Sequence, residues 1–86
     1  PIDQKLSLWI AESLCYRHLQ NYDRAMRTLS KVINEDAASP LRIKAMFLRA
    51  EIYALQGRHE LAIRQLEATT KKGGEWALKA KEKLKV

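Results

Sequence analysis

Two stretches of this chain are written to one template. The first runs Trp9-x-x-Glu12-Ser13-x-x-Tyr16 and continues to Ala25-x-x-x-Leu29. The second runs Met46-x-x-Arg49-Ala50-x-x-Tyr53 and continues to Ala62-x-x-x-Leu66. The small residue and the later alanine are twelve residues apart in both copies, Ser13 to Ala25 and Ala50 to Ala62. A repeat of this kind constrains the fold more than any single motif, because one supersecondary unit is being used twice.

The unit itself reads as a pair of helices. Leu6, Trp9, Ile10, Ser13, Leu14 and Tyr16 recur at steps of three and four, which marks one helical face. The spacing predicts a helix over about 4–19 with Asp3 as its N-cap. Asn21 makes a short turn. A second helix then runs from Tyr22 to about residue 35, with Ala25, Met26, Leu29, Val32 and Ile33 inward, closing an αα-hairpin. Residues 34–40 form a linker, and Ser39-Pro40 reads as an N-cap followed by proline at the first helical position. A third helix is expected over about 40–56, ended by Gly57 in the left-handed conformation common just past a helix. A fourth follows over about 59–71, with Leu61, Ala62, Leu66 and Ala68 inward, and Gly73-Gly74 breaks it. Residues 75–86 are again helical by pattern, with Trp76, Ala77, Ala80 and Leu84 on one stripe. The opening Trp76-x-x-Lys79-Ala80 repeats the start of the first helix of each pair.

Composition agrees. Eighty-six residues suit one small domain. Glycine and proline are scarce, at 3 and 2, and good helix formers dominate. The fold class expected is therefore all-α: antiparallel helical hairpins stacked as a short solenoid of about five helices. The whole chain makes one domain. Repeat one spans about 4–36, repeat two about 40–72, and a capping helix about 75–86. The start at Pro1, without methionine, reads as a piece of a longer protein.

In such a pair, small residues sit where backbones approach closely. Ser13, Ala50 and Ala80 play that part on the first helices, and Ala25 and Ala62 on the second. Trp9, Tyr16, Leu29, Tyr53 and Leu66 fill the space around them, with Trp76 inward on the last helix.

The template resembles the tetratricopeptide repeat, a helix–turn–helix unit of 34 residues with the pattern W-x2-L-G-x2-Y…A-x3-F…P. The resemblance covers roughly residues 5–84. It departs in three places. The copies are 37 residues apart, from Ala25 to Ala62, with the excess in the linker. Glu12 and Arg49 stand where leucine is usual, a placement that would allow an ion pair between repeats. The closing proline falls late, at Pro40. A related helical-repeat family and a plain helical bundle also accommodate these departures.

The resemblance implies a non-enzymatic interaction module, a scaffold or adaptor that binds a partner peptide or helix in a concave groove lined by the first helix of each unit. Carried onto this chain, the groove residues are Ser7, Ile10 and Leu14, then Lys44, Phe47 and Glu51. Ile10, Leu14 and Phe47 would form an apolar stripe suited to a helix or an extended peptide with apolar anchors. The alternative is that these residues pack against a neighbouring helix, the C-terminal one included. One subclass of the family clamps a C-terminal carboxylate with lysine and asparagine. Those positions hold Ile10, Leu14 and Leu48 here, so chaperone-tail binding of that type is not expected.

Catalysis finds little support, and neither a cofactor nor a metal is expected. His18 and His59 lie near helix–turn boundaries without partners at zinc-site spacing. Cys15 reads as a small packed hydrophobe. Lys71-Lys72-Gly73-Gly74 lacks the order of a phosphate-binding loop. The net charge is +6, and residues 71–86 hold six lysines against two glutamates. An alternative function is therefore a basic helical domain gripping nucleic acid, or an anionic membrane surface, through that lysine-rich end. Nucleic acid is the less favoured partner, because the end has one aromatic, Trp76, and it points inward. Self-association through an exposed apolar end is a third expectation, since two repeats fall short of the three a stable stack usually needs. No apolar run approaches the length of a membrane span. The single cysteine and the absence of a leader pattern point to a cytoplasmic location.

Overall fold

The computed structural model describes residues 1–35 and 38–85. It contains α1 (Ile2–His18), α2 (Tyr22–Ile33), α3 (Pro40–Leu55), α4 (His59–Thr70) and α5 (Gly74–Leu84), and no strand among the described residues. Each helix packs on the next in sequence, and α3 also touches α1 and α5. The first helices α1, α3 and α5 thus form one layer, with α2 and α4 as the second. This is the expected stack of helical hairpins, with α5 packed against α3 and α4.

The helix boundaries follow from local chemistry. Between α1 and α2, Asn21 N–H donates to the Tyr16 carbonyl at 2.8 Å and Gln20 N–H to the Arg17 carbonyl at 2.9 Å. Between α3 and α4, Arg58 N–H donates to Tyr53 at 2.8 Å and Gly57 N–H to Ala54 at 3.0 Å. These are the paired bonds of a Schellman ending, which satisfies carbonyls the helix leaves open. The Asn21 side chain then caps α2 by accepting from Arg24 N–H at 3.4 Å. The Ser39 hydroxyl caps α3 by accepting from Leu41 N–H at 3.2 Å, with Pro40 at the first helical position. One expected cap is corrected. The first helix begins at Ile2 and has no side-chain cap, so Asp3 lies inside its first turn. There its charge still favours the positive end of the helix dipole.

The core runs through the whole stack. Leu6, Ile10, Ala25, Leu29 and Val32 supply the first hairpin's share, Ala45, Phe47, Leu48 and Ile52 the share of α3, and Ala80 that of α5. The small residues of the template are buried as expected. Ala25 and Ala80 have no exposed surface, and Ser13, Ala50 and Ala62 are also buried. The Ser13 hydroxyl donates to the Ile10 carbonyl at 2.7 Å, so its burial leaves no unmet donor. Trp9, Tyr16, Leu66 and Trp76 are half-buried and packed against this core. Tyr53 is half-buried with the Arg58 guanidinium over its ring at 5.1 Å. The ammonium groups of Lys5 and Lys31 lie 4.9 and 5.8 Å from the Trp9 ring centroid.

The two repeats differ in one respect. Ala45, Leu48 and Ile52 of α3 are 0, 7 and 1% exposed, because α3 packs against all four of the other helices. The residues at the same template positions of α1 are Leu8, Ala11 and Cys15, and all three are exposed. The expectation that Cys15 packs into the core is therefore corrected. It lies on the face of α1 that in α3 is covered by the preceding unit.

Candidate partner-binding site

The expected groove residues lie on the layer formed by α1, α3 and α5, but they divide into two groups. Ser7 and Leu14 are exposed, Leu14 at 41%. Lys44 and Glu51 are half-buried. Ile10 and Phe47 are buried at 4 and 6% and belong to the core cluster. The apolar stripe expected from Ile10, Leu14 and Phe47 is therefore corrected: Leu14 alone of the three opens to solvent. The reason is packing within the chain. α5 sets Trp76 on Phe47, ring centroids 5.5 Å apart and planes tilted by 50°. Ile10 sits one turn from Leu6 and turns with it into the first hairpin's core.

Charge occupies the surface that the buried residues vacate. The Glu51 carboxylate accepts from Arg17 on α1 at 2.9 Å and lies 3.7 Å from the Lys83 ammonium on α5. One side chain of α3 thus ties together all three helices of the layer. Around the Trp76 ring, the Lys79 and Lys44 ammonium groups stand 4.2 and 5.4 Å from the centroid. A shallow hollow of about 480 Å³ lies there, lined by Phe47, Lys79, Glu82 and Lys83. Sequence reasoning included Glu51 and Lys44 but missed Arg17, Lys79 and Lys83. Arg17 follows Leu14 by three residues on the same helix, so the 3.6-residue period was the available signal. Lys79 and Lys83 show no such signal until α5 is known to lie beside α3.

The ion pair expected between Glu12 and Arg49 is also corrected. The Thr28 hydroxyl donates to the Glu12 carboxylate at 3.5 Å, within the first hairpin. Arg49 Nε donates to the Gln65 side-chain oxygen at 2.7 Å, within the second, and its Nη1 reaches the Ser30 hydroxyl at 3.4 Å. That template position faces the second helix of its own unit, so each residue finds a partner there. Arg17 and Glu51, on the first-helix layer, make the pairing across units instead.

His18 ends α1 and His59 begins α4, both exposed. No group of three or more His, Cys, Asp or Glu is placed to hold a metal ion among the described residues. None of the described helices is long and apolar enough to cross a membrane. The lysines of the C-terminal end do not share one face. Lys79 and Lys83 turn toward α3, whereas Lys81 and Lys85 border α4.

Helical hairpins in two layers, repeated with the same turn and the same buried small residues, define a helical-repeat solenoid. The sequence profile of the tetratricopeptide repeat family matches residues 8–39 and 44–72. The chain belongs to the tetratricopeptide repeat family, whose repeats generally mediate protein–protein interaction. No curated protein and no solved structure matches the chain significantly.

Proposed function

We propose that this chain is a non-enzymatic scaffold or adaptor module that takes a segment of a partner protein across the layer of α1, α3 and α5. The observation that carries this reading is the Glu51 bridge to Arg17 and Lys83 beside the open Leu14. It offers an apolar anchor next to charged groups that pair across three packed helices. Rigid placement of an anchor and its polar neighbours lowers the ordering cost of binding. The bound segment is a helix or an extended peptide that sets an apolar side chain against Leu14 and pairs with the flanking charges.

The nucleic-acid alternative finds less support. Its lysines point to two sides of α5. Trp76, which would have to stack on a base, is packed against Phe47 and has Lys44 and Lys79 near its ring.

The test is affinity capture with wild type beside Leu14→Glu, with and without nuclease. Leu14 is exposed, so the variant keeps its helical circular dichroism. A nuclease-resistant protein captured by wild type and lost by Leu14→Glu supports the proposed surface. Capture unaffected by the substitution rejects it, and capture abolished by nuclease transfers the function to nucleic acid.

A further inference from the structure

The groove between α4 and α5 lies away from the proposed surface and encloses about 830 Å³. Its apolar wall is Ala68, Leu78 and Leu84, with Leu78 61% and Leu84 37% exposed. These side chains open together on the floor of the cleft, where an apolar side chain of a partner could cover them. The rim carries Arg64, Lys71, Lys81 and Lys85 against Glu67 and Glu82. Arg64 is already engaged by Glu60 at 2.9 Å, so the three lysines carry the excess positive charge. The helices that form the cleft are 12 and 11 residues long, which gives about three turns of length for a third helix to follow.

We infer that this groove binds an acidic amphipathic helix of a partner protein, its apolar stripe on Leu78 and Leu84 and its carboxylates on Lys71, Lys81 and Lys85. A helix suits the site because packed helices offer a groove for an apolar stripe, whereas an added strand needs an open sheet edge. An acidic helix suits it because the rim is cationic, and opposite charge both steers the encounter and selects the partner. A second copy of this chain lacks the required chemistry. α2, α3 and α5 carry more cations than acids, and α1 carries equal numbers. α4 alone has more acids than cations, and it already forms one wall of the groove.

The test uses two synthetic peptides with leucine at i, i+3, i+4 and i+7. One carries glutamate at the flanking positions and the other lysine. Binding to the full chain is followed by amide chemical shifts and fluorescence anisotropy at low and high salt. The expected result is binding of the glutamate peptide at least about tenfold tighter than the lysine peptide at low salt, weakening as salt rises. Shifts should fall on α4 and α5. Leu78→Glu should abolish binding, and Lys81→Glu with Lys85→Glu should reverse the preference toward the lysine peptide. All three positions are exposed, so these variants retain the fold. Equal binding of both peptides, no binding of either, or shifts confined to the α1, α3 and α5 layer would overturn the inference. It stands apart from the proposed function, because Leu14→Glu leaves this groove intact.

Discussion

Gln20 and Gly57 occupy the same position in the turns of the two repeats, and both are left-handed, with φ of 60° and 76°. The bonds around them match: the residue after each donates to a tyrosine carbonyl, Tyr16 or Tyr53, at 2.8 Å. One backbone geometry is therefore imposed on two different residues. Glycine accepts it freely, whereas an L side chain is strained there by its Cβ.

Gln20→Gly should stabilise the protein, by about 0.5–1 kcal/mol once glycine's larger unfolded-state entropy is offset. Gly57→Ala should destabilise it by about 1 kcal/mol. Nothing lies within 4 Å of a Cβ built at Gly57, so the cost is conformational rather than steric. Urea denaturation followed by circular dichroism measures both. A loss of stability in Gln20→Gly would show that the glutamine side chain contributes more than its strain costs.

The residue after the left-handed one also differs. Asn21 caps α2 with its side chain, whereas Arg58 precedes α4 without a side-chain cap. Arg58→Asn should therefore stabilise the second hairpin by about 0.5–1 kcal/mol. The Arg58 contact with the Tyr53 ring is lost in the exchange, which sets the gain toward the lower figure. A rise in the denaturation midpoint with unchanged slope is the expected readout.

Cys15 and Ile52 are at equivalent template positions but in different surroundings. Ile52→Ala should cost about 2–5 kcal/mol, because the side chain is 1% exposed and leaves a cavity. Cys15→Ala should stay within about 0.5 kcal/mol, as surface substitutions usually do. Wild-type Cys15 should also react with a thiol reagent without unfolding. Slow, unfolding-limited labelling would place it in a covered interface instead.

Phe47→Ala should cost about 3–5 kcal/mol and loosen α5, because Trp76 loses the ring it rests on. Hydrogen exchange along α5 should rise with it. Phe47→Glu should unfold the module, so any loss of binding in that variant reports on the fold and not on a partner contact.

Glu51→Gln should cost less than about 1 kcal/mol, since both its cationic partners are partly exposed. The difference from wild type should shrink as salt rises. A loss of several kcal/mol, independent of salt, would mean that the bridge is part of the buried core.

The template made the fold legible because helix formation and close packing are local, periodic demands. Small residues had to recur where little room is left between helices, and Ser13, Ala25, Ala50, Ala62 and Ala80 are all buried in the structure. Apolar periodicity likewise identified Leu6, Ile10 and Leu29 as one-sided. It did not say which neighbour would cover each side. Ile10 and Phe47 fit a groove wall and a helix contact equally well as sequence positions. Their burial was decided when α1 closed on α2 and Trp76 of α5 came down on Phe47.

The sequence by itself determined the helices, their turns and the small buried residues of each hairpin, because hydrogen bonds and side-chain periodicity act over a few residues. Tertiary structure alone decided that Leu8, Ala11 and Cys15 stay open while Ala45, Leu48 and Ile52 are covered. It also brought Arg17, Glu51 and Lys83 together from three separate helices. Those outcomes depend on which unit lies beside which, a relation between distant parts of the chain that local pattern does not encode.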